Sequence, residues 1–198
     1  MTHRFLSDLR AGILSTLILG VACCGLYPLI VFGIGKALFP DQAAGSLIRD
    51  QTGLIRGSKL LGQNFSGEGY FHPRPSVAGH GYDAANSGGS NLGPTSRKLH
   101  DALKVRADTY RKRNGLPSTD AVPADAVTAS ASGLDPHISL QNAALQARRV
   151  ARARQLELQK VLGLVRENTD GPDLGILGEP GVNVLKLNLA LDAISATR

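Results

Sequence analysis

From Ala11 to Gly35 the chain carries no Asp, Glu, Lys or Arg, and Arg10 and Lys36 close this run on either side. An α-helix rises about 1.5 Å per residue, so roughly 20 apolar residues cross the hydrocarbon core of a bilayer. The run is long enough to span with some tilt. The apolar core of a cleaved signal peptide is shorter, about 7–15 residues, and ends at a small-residue site. Gly35-Lys36-Ala37 has the look of such a site, but the run before it is too long and too uniform. The expected organisation is therefore a cytoplasmic N-terminus (1–10), a retained transmembrane anchor helix (11–35), a juxtamembrane segment (36–57) and one soluble domain (58–198).

Pro28 lies inside the span, where membrane helices tolerate proline; the expected effect is a kink and not a break. Gly12, Gly20, Gly25, Gly33 and Gly35 permit close contact with another helix. Arg4 and Arg10 precede the span and Lys36 follows it, a bias for the N-terminus inside and the domain outside the cytoplasm. Cys23 and Cys24 both fall in the span, and the rest of the chain has no cysteine, so there is no disulfide framework. A domain of about 160 residues buries enough core to fold without one.

The net charge is +6. Arg4, Arg10 and Asp8 contribute +1 of it, which leaves about +5 on the domain. That excess sits in two helical segments without interleaved aromatic residues for base stacking, so nucleic acid is not the expected partner.

Along the domain, Ser58–Phe65 has strand character, and Gly67–Pro94 is a long loop dense in Gly, Pro, Ser and Asn. Structureless loops beyond about 15 residues in a compact domain are usually functional or disordered. Pro94 suits the first turn of a helix, Leu99, Ala102, Leu103, Arg106, Ala107 and Tyr110 follow at helical spacing, and Asn114-Gly115 stops it. Ala126–Ala131 reads as a short strand. Asp135-Pro136 reads as an N-cap and first helical residue, with helix from Ser139 through Val150 and again from Leu156 to Val165. From Val182 to Asp192 aliphatic residues alternate with polar ones, which reads as a strand with a bulge at Val184-Leu185. The fold class expected is α+β: one transmembrane helix followed by a single mixed domain.

Catalytic and phosphate-binding signatures fail on inspection. Gly53–Lys59 has the wrong glycine spacing for a phosphate loop, and Gly79–Ala84 fits the dinucleotide pattern but follows no strand. No Gly-x-Ser-x-Gly elbow is present. His72, His80, His100 and His137 show no metal-ligand spacing, so no metal site and no catalytic residue are assigned. Two segments retain interest. In Ser87, Gly88, Gly89, Ser90, Asn91 and Gly93, backbone amides could face an anion, with a helix start following. A glycine-rich loop that needs positive φ explains the same residues. Ser130–Ser139 combines small residues with a capped helix start that accounts for Asp135 but not for His137.

These blocks carry a family resemblance. Gly62-Gln63-Asn64-Phe65, Tyr70–Ser76, Tyr82–Ala85, Ser87–Pro94, Ala129–Ser139, Arg149–Arg154 and Leu177–Asn188 resemble, in order, KdpC, the C subunit of the bacterial Kdp potassium-transporting P-type ATPase. Gly181 stands where the family pattern has arginine. The resemblance implies a non-catalytic subunit in the bacterial inner membrane; the expectation that its domain is periplasmic comes from Arg4 and Arg10 before the span. Its implied partners are a channel-like potassium-binding subunit, a P-type ATP-hydrolysing subunit and a small assembly subunit. It implies no cofactor of its own, ATP being engaged only through the hydrolysing subunit or a transient ternary complex that raises ATP affinity. Ser87–Ser90 would be the nucleotide-sensing loop, and Ser132, Gly133, Asp135, His137, Arg149 and Arg152 candidate interface residues.

A domain outside the cytoplasm cannot touch a nucleotide inside it, so any influence on ATP affinity is expected to be indirect. Two other classes remain open: an anchored serine hydrolase using Ser130 or Ser132 with His137, and a potassium-sensing module without transport. Arg148, Arg149, Arg152 and Arg154 read either as a solvated helix face or as a patch for an acidic partner.

Overall fold

The computed structural model describes residues 2–50 and 52–196. Met1, Gln51, Thr197 and Arg198, which the expected segments 1–10, 36–57 and 58–198 include, lie outside the described residues. The chain forms two compact units divided between Leu47 and Ile48.

The first unit is dominated by one helix. α1 (Thr2–Gly20) passes through a π-helical segment, Val21–Leu26, into α2 (Tyr27–Leu38). From Arg4 to Leu38 it runs 35 residues, long and apolar enough to cross a membrane. Its Leu, Ile, Val and Phe side chains are exposed along the whole length, as a lipid-facing helix requires. The π-helical turn lies where Pro28 demands it. Proline has no N–H, and its ring clashes with the carbonyl four residues back. Immediately before it, the Tyr27 N–H bonds to the Ala22 carbonyl, five residues back. The widened turn accommodates the proline while the helix continues. A short α3 (Pro40–Ala43) follows.

The second unit is α+β. β1 (Leu47–Arg49), which starts on the last residue of the first unit, pairs with β2 (Ile55–Ser58). The turn between them is organised by Asp50, whose carboxylate accepts from the Thr52 and Leu54 amides and pairs with Arg56 at 2.8 Å. A second, antiparallel sheet has β5 (Gly181–Asn183) between β3 (His137–Ile138) and β4 (Thr169–Asp170). His137 stands opposite Asn183, and Thr169 opposite Val182. The helices are α4 (Arg97–Asn114), α5 (Ala124–Val127), α6 (Leu140–Arg154), α7 (Leu158–Glu167) and α8 (Val184–Ala196).

Local chemistry accounts for the helix ends. Ser96 caps α4, which stops at Gly115 with φ +65°. Ser139 caps α6 by accepting the Asn142 amide, and the Asp125 carboxylate takes the Ser139 amide, the Ser139 hydroxyl and the Asn142 side chain. The core lies where α6, α7 and α8 meet the second sheet. Ala143, Ala147 and Val150 of α6 face Val161, Leu164 and Val165 of α7, Leu187 and Leu191 of α8, Ile138, Val182 and the loop residue Phe71. Small alanines on α6 let the layers approach closely at interior packing density.

Five local expectations change. Val184–Ala196 is helix, with only Gly181–Asn183 extended. The alternating leucines also satisfy helical spacing: Val184, Leu187, Leu191 and Ile194 share one face on the core. Leucine favours helix over strand. Asn183 sets the boundary, its side chain capping α8 through the Lys186 amide and donating to the Lys59 carbonyl. Lys59–Phe65 is not strand: the Gly62 amide bonds to the Leu134 carbonyl, which holds this stretch along residues 134–135. Ala126–Ala131 begins inside α5 and continues as irregular chain. Asp135 caps no helix, because Pro136 is tied into the sheet by the Val184 amide and the helix starts only after Ser139. Pro94 precedes α4 in a turn and is not in its first helical turn.

Candidate functional site

The two small-residue segments singled out in the sequence meet in space. The Gly88 amide and the Ser87 hydroxyl both donate to the Ser132 carbonyl, each at 2.9 Å. Their glycines are explained by this contact. A Cβ on Gly89 would lie 2.9 Å from the Ala131 carbonyl oxygen. A Cβ on Gly133, where φ is +68°, would lie 2.8 Å from the Ala78 nitrogen and from the Gly88 oxygen. No side chain fits there without moving backbone. Of the amides proposed to face an anion, that of Gly88 is spent internally, while Ser90, Asn91 and Gly93 lie exposed beyond the contact.

Asp135 and His137 belong to a chain of polar contacts that links Arg74 to Lys186. Arg74 Nη1 pairs with Asp135 Oδ2 at 2.7 Å, and His137 Nδ1 lies 3.8 Å from Asp135 Oδ1. His137 Nε2 lies 2.9 Å from Asp170 Oδ2, and Lys186 Nζ reaches Asp170 Oδ1 at 3.0 Å. Partial burial opposes ionisation of Asp170, but the bonds from His137 and Lys186 hold its carboxyl below the usual carboxylate range. The network ties the loop at Arg74 to β3, β4 and α8. The Ser132 hydroxyl accepts the Leu134 amide, and among the described residues no hydrogen bond joins Ser130 or Ser132 to His137.

The four arginines of α6 divide. Arg148 and Arg152 are exposed. Arg149 is buried and donates to the Glu68 carbonyl, to the Tyr70 carbonyl at 3.0 Å, to Gln146 Oε1 at 2.9 Å and to Asn114 Oδ1 at 3.0 Å. It is a strut joining α6 to α4 and to the loop before Phe71. Arg154 stacks 4.6 Å from the Tyr70 ring centre and pairs with Asp192 at 2.7 Å. Patterning alone could not separate these roles, because all four sit in one basic run.

His72, which lacks metal-ligand spacing in the sequence, is structural: its Nε2 faces the Gly67 carbonyl at 2.9 Å and its Nδ1 faces Arg113 Nη1 at 3.1 Å. The Nε2–H tautomer satisfies both partners. Burial is the main reason its pKa falls to about 4, and the Arg149 and Arg113 charges push the same way. Among the described residues, no group of three His, Cys, Asp or Glu side chains gathers as a metal site.

One helix long and apolar enough to cross a membrane, followed by an α+β domain, is the pattern of a membrane-anchored domain. Comparison with known proteins places it. The family model "K+-transporting ATPase, c chain" (KdpC) matches residues 9–193. Among relatives named "Potassium-transporting ATPase KdpC subunit", that of Nitratidesulfovibrio vulgaris is 54% identical over 195 residues, covering 98% of each chain. The Mycobacterium bovis protein is 51% identical over 194 residues, covering 98% of this chain and all of the relative. That of Rhodospirillum rubrum is 56% identical over 177 residues, or 89% of each chain. The chain belongs to the KdpC family and is an accessory subunit of a potassium-transporting ATPase.

Proposed function

We propose that this chain is a non-catalytic subunit that stabilises an ATP-driven potassium uptake pump, with its domain outside the cytoplasm and its effect on ATP affinity exerted indirectly. The carrying observation is the contact between the two loops. The residues resembling a nucleotide-sensing loop, Ser87 to Ser90, are occupied in part by the 131–133 backbone. Arg4 and Arg10 before the long helix favour an inside N-terminus. In this reading the helix packs among the membrane helices of the channel-like, ATP-hydrolysing and small assembly subunits, and the domain braces the channel-like subunit at its potassium entrance. A subunit that binds one pump conformation better than another shifts nucleotide affinity without touching nucleotide.

Two experiments test it. A reporter active only outside the cytoplasm, fused after Arg198, is expected to be active; a stable but inactive fusion would move the domain to the nucleotide side and defeat the indirect model. In assembled pump, Ser90→Ala is expected to leave ATP affinity within about twofold, a change small beside typical allosteric couplings. Loss of nucleotide affinity with intact assembly would refute the reading. Ser90 is the appropriate site because it is exposed, whereas a methyl group on Gly89 collides with the Ala131 carbonyl.

A further inference from the structure

A cleft of about 380 Å³ opens in the domain between the loop at residues 72–82 and helices α4, α5 and α6. Arg74, Arg106 and Arg113 line it, and no Asp or Glu does. Arg106 and Arg113 lie seven residues apart, on one face of α4. Two of the three guanidiniums are drawn to adjacent residues: Arg106 Nη1 donates to the Val127 carbonyl at 3.0 Å, and Arg74 Nη2 reaches Thr128 Oγ1 at 3.5 Å. Arg74 Nη1 is paired with Asp135, but its Nε is buried without a hydrogen-bond partner. Asp125, next to the lining residue Ala126 but not itself in the lining, has both oxygens engaged by Ser139 and Asn142. Tyr82 donates to the Arg74 carbonyl and Tyr110 to Asn142 Oδ1. Arg113 Nη1 meets His72 Nδ1 at 3.1 Å, and among the described residues neither Arg106 nor Arg113 forms an ion pair, so the cleft carries guanidinium charge that no carboxylate in its lining balances.

We propose that this cleft binds a phosphate-bearing ligand. A planar carboxylate matches a single guanidinium fork, whereas a tetrahedral oxyanion accepts from several guanidiniums approaching from different elements. Here they approach from the loop through Arg74 and from α4 through Arg106 and Arg113. Phe65, Pro73, Pro75 and Val105 supply apolar walls, and the volume exceeds that of a bare phosphate ion. The ligand is therefore a diphosphate-sized anion or the headgroup of an anionic lipid. This site does not depend on the accessory-subunit reading.

The test is calorimetric titration of the full-length protein, in micelles of an uncharged detergent, with inorganic diphosphate and separately with acetate. Saturable diphosphate binding at least about tenfold tighter than acetate is expected, since one fork alone cannot use the extra oxygens. Arg106→Gln is expected to weaken it at least about tenfold, and the exposed Lys160→Gln to leave it within about twofold. Thermal unfolding of each variant checks the fold; if Arg106→Gln does not fold, Arg113→Gln replaces it with the same expectation. Phosphatidylglycerol added to the micelles separates the sources: displacement of diphosphate assigns the cleft to lipid headgroups, and lack of displacement to a soluble phosphate. Absence of saturable diphosphate binding, equal binding of acetate, or equal losses in the Arg106 and Lys160 variants would overturn the proposal.

Discussion

Replacing Arg149 with alanine removes a guanidinium that donates to four acceptors from inside the domain. Gln146 Oε1 keeps a partner, because it also accepts the His72 amide at 2.7 Å. The Glu68 and Tyr70 carbonyls and Asn114 Oδ1 lose their donor. A hydrogen bond to a charged group contributes about 1.5–3 kcal/mol, and an orphaned buried acceptor costs about 1–3 kcal/mol. Water entering the vacated space recovers part of this, so the expected loss is about 3–5 kcal/mol. For a domain of this size each kcal/mol shifts the midpoint by about 2–4 °C, which gives a fall of roughly 6–20 °C. Thermal unfolding of the full-length protein in detergent, followed by circular dichroism, reads this directly. Arg152→Ala, one turn along on the exposed face, is the control and is expected to change stability by less than about 0.5 kcal/mol. A loss below about 1 kcal/mol for Arg149→Ala, or equal losses for both variants, refutes the strut. Unchanged stability with lost co-purification of the pump would instead make Arg149 an interface residue.

Three further outcomes follow from the same geometry. Because the folded pKa of His72 is pushed down to about 4 from the ordinary 6.5, the unfolded chain binds its proton first, so stability falls as the pH drops from about 6.5 to 4. Discounted for partial solvent screening this is about 1–2 kcal/mol, and His72→Gln should flatten the pH dependence of the unfolding midpoint over that window. Gly133→Ala must place a Cβ at positive φ against the Ala78 and Gly88 backbone and is expected to lose at least about 2 kcal/mol in denaturant unfolding. Asn183→Ala removes the α8 cap and orphans the Lys59 carbonyl, an expected loss of about 2–3 kcal/mol by the same assay.

Much of the chain was legible from residue order, and the failures have a common origin. The long apolar helix follows from the uniformity and length of an uncharged run. The bodies of α4 and α6 follow from helical spacing, and the end of α4 from Asn114-Gly115, whereas their actual N-caps, Ser96 and Ser139, are not the residues that local order suggested. The ordered motif blocks identified the family before any geometry was known. What residue order left open were competitions between equally good local solutions. The leucines of 185–191 satisfy a strand period and a helix period together, and the choice was made by Asn183 reaching the Lys59 carbonyl, a residue 124 positions away. Arg148, Arg149, Arg152 and Arg154 are chemically alike; only the packing of α6 against the 68–70 loop buries one and leaves two in water. Likewise, the contact between residues 87–89 and 131–133, and the convergence of Arg74 with Arg106, join segments far apart in the chain. Sequence determined the elements whose energy is local; tertiary structure decided every question whose energy depends on a distant partner, because that partner contributes nothing until the fold has brought it near.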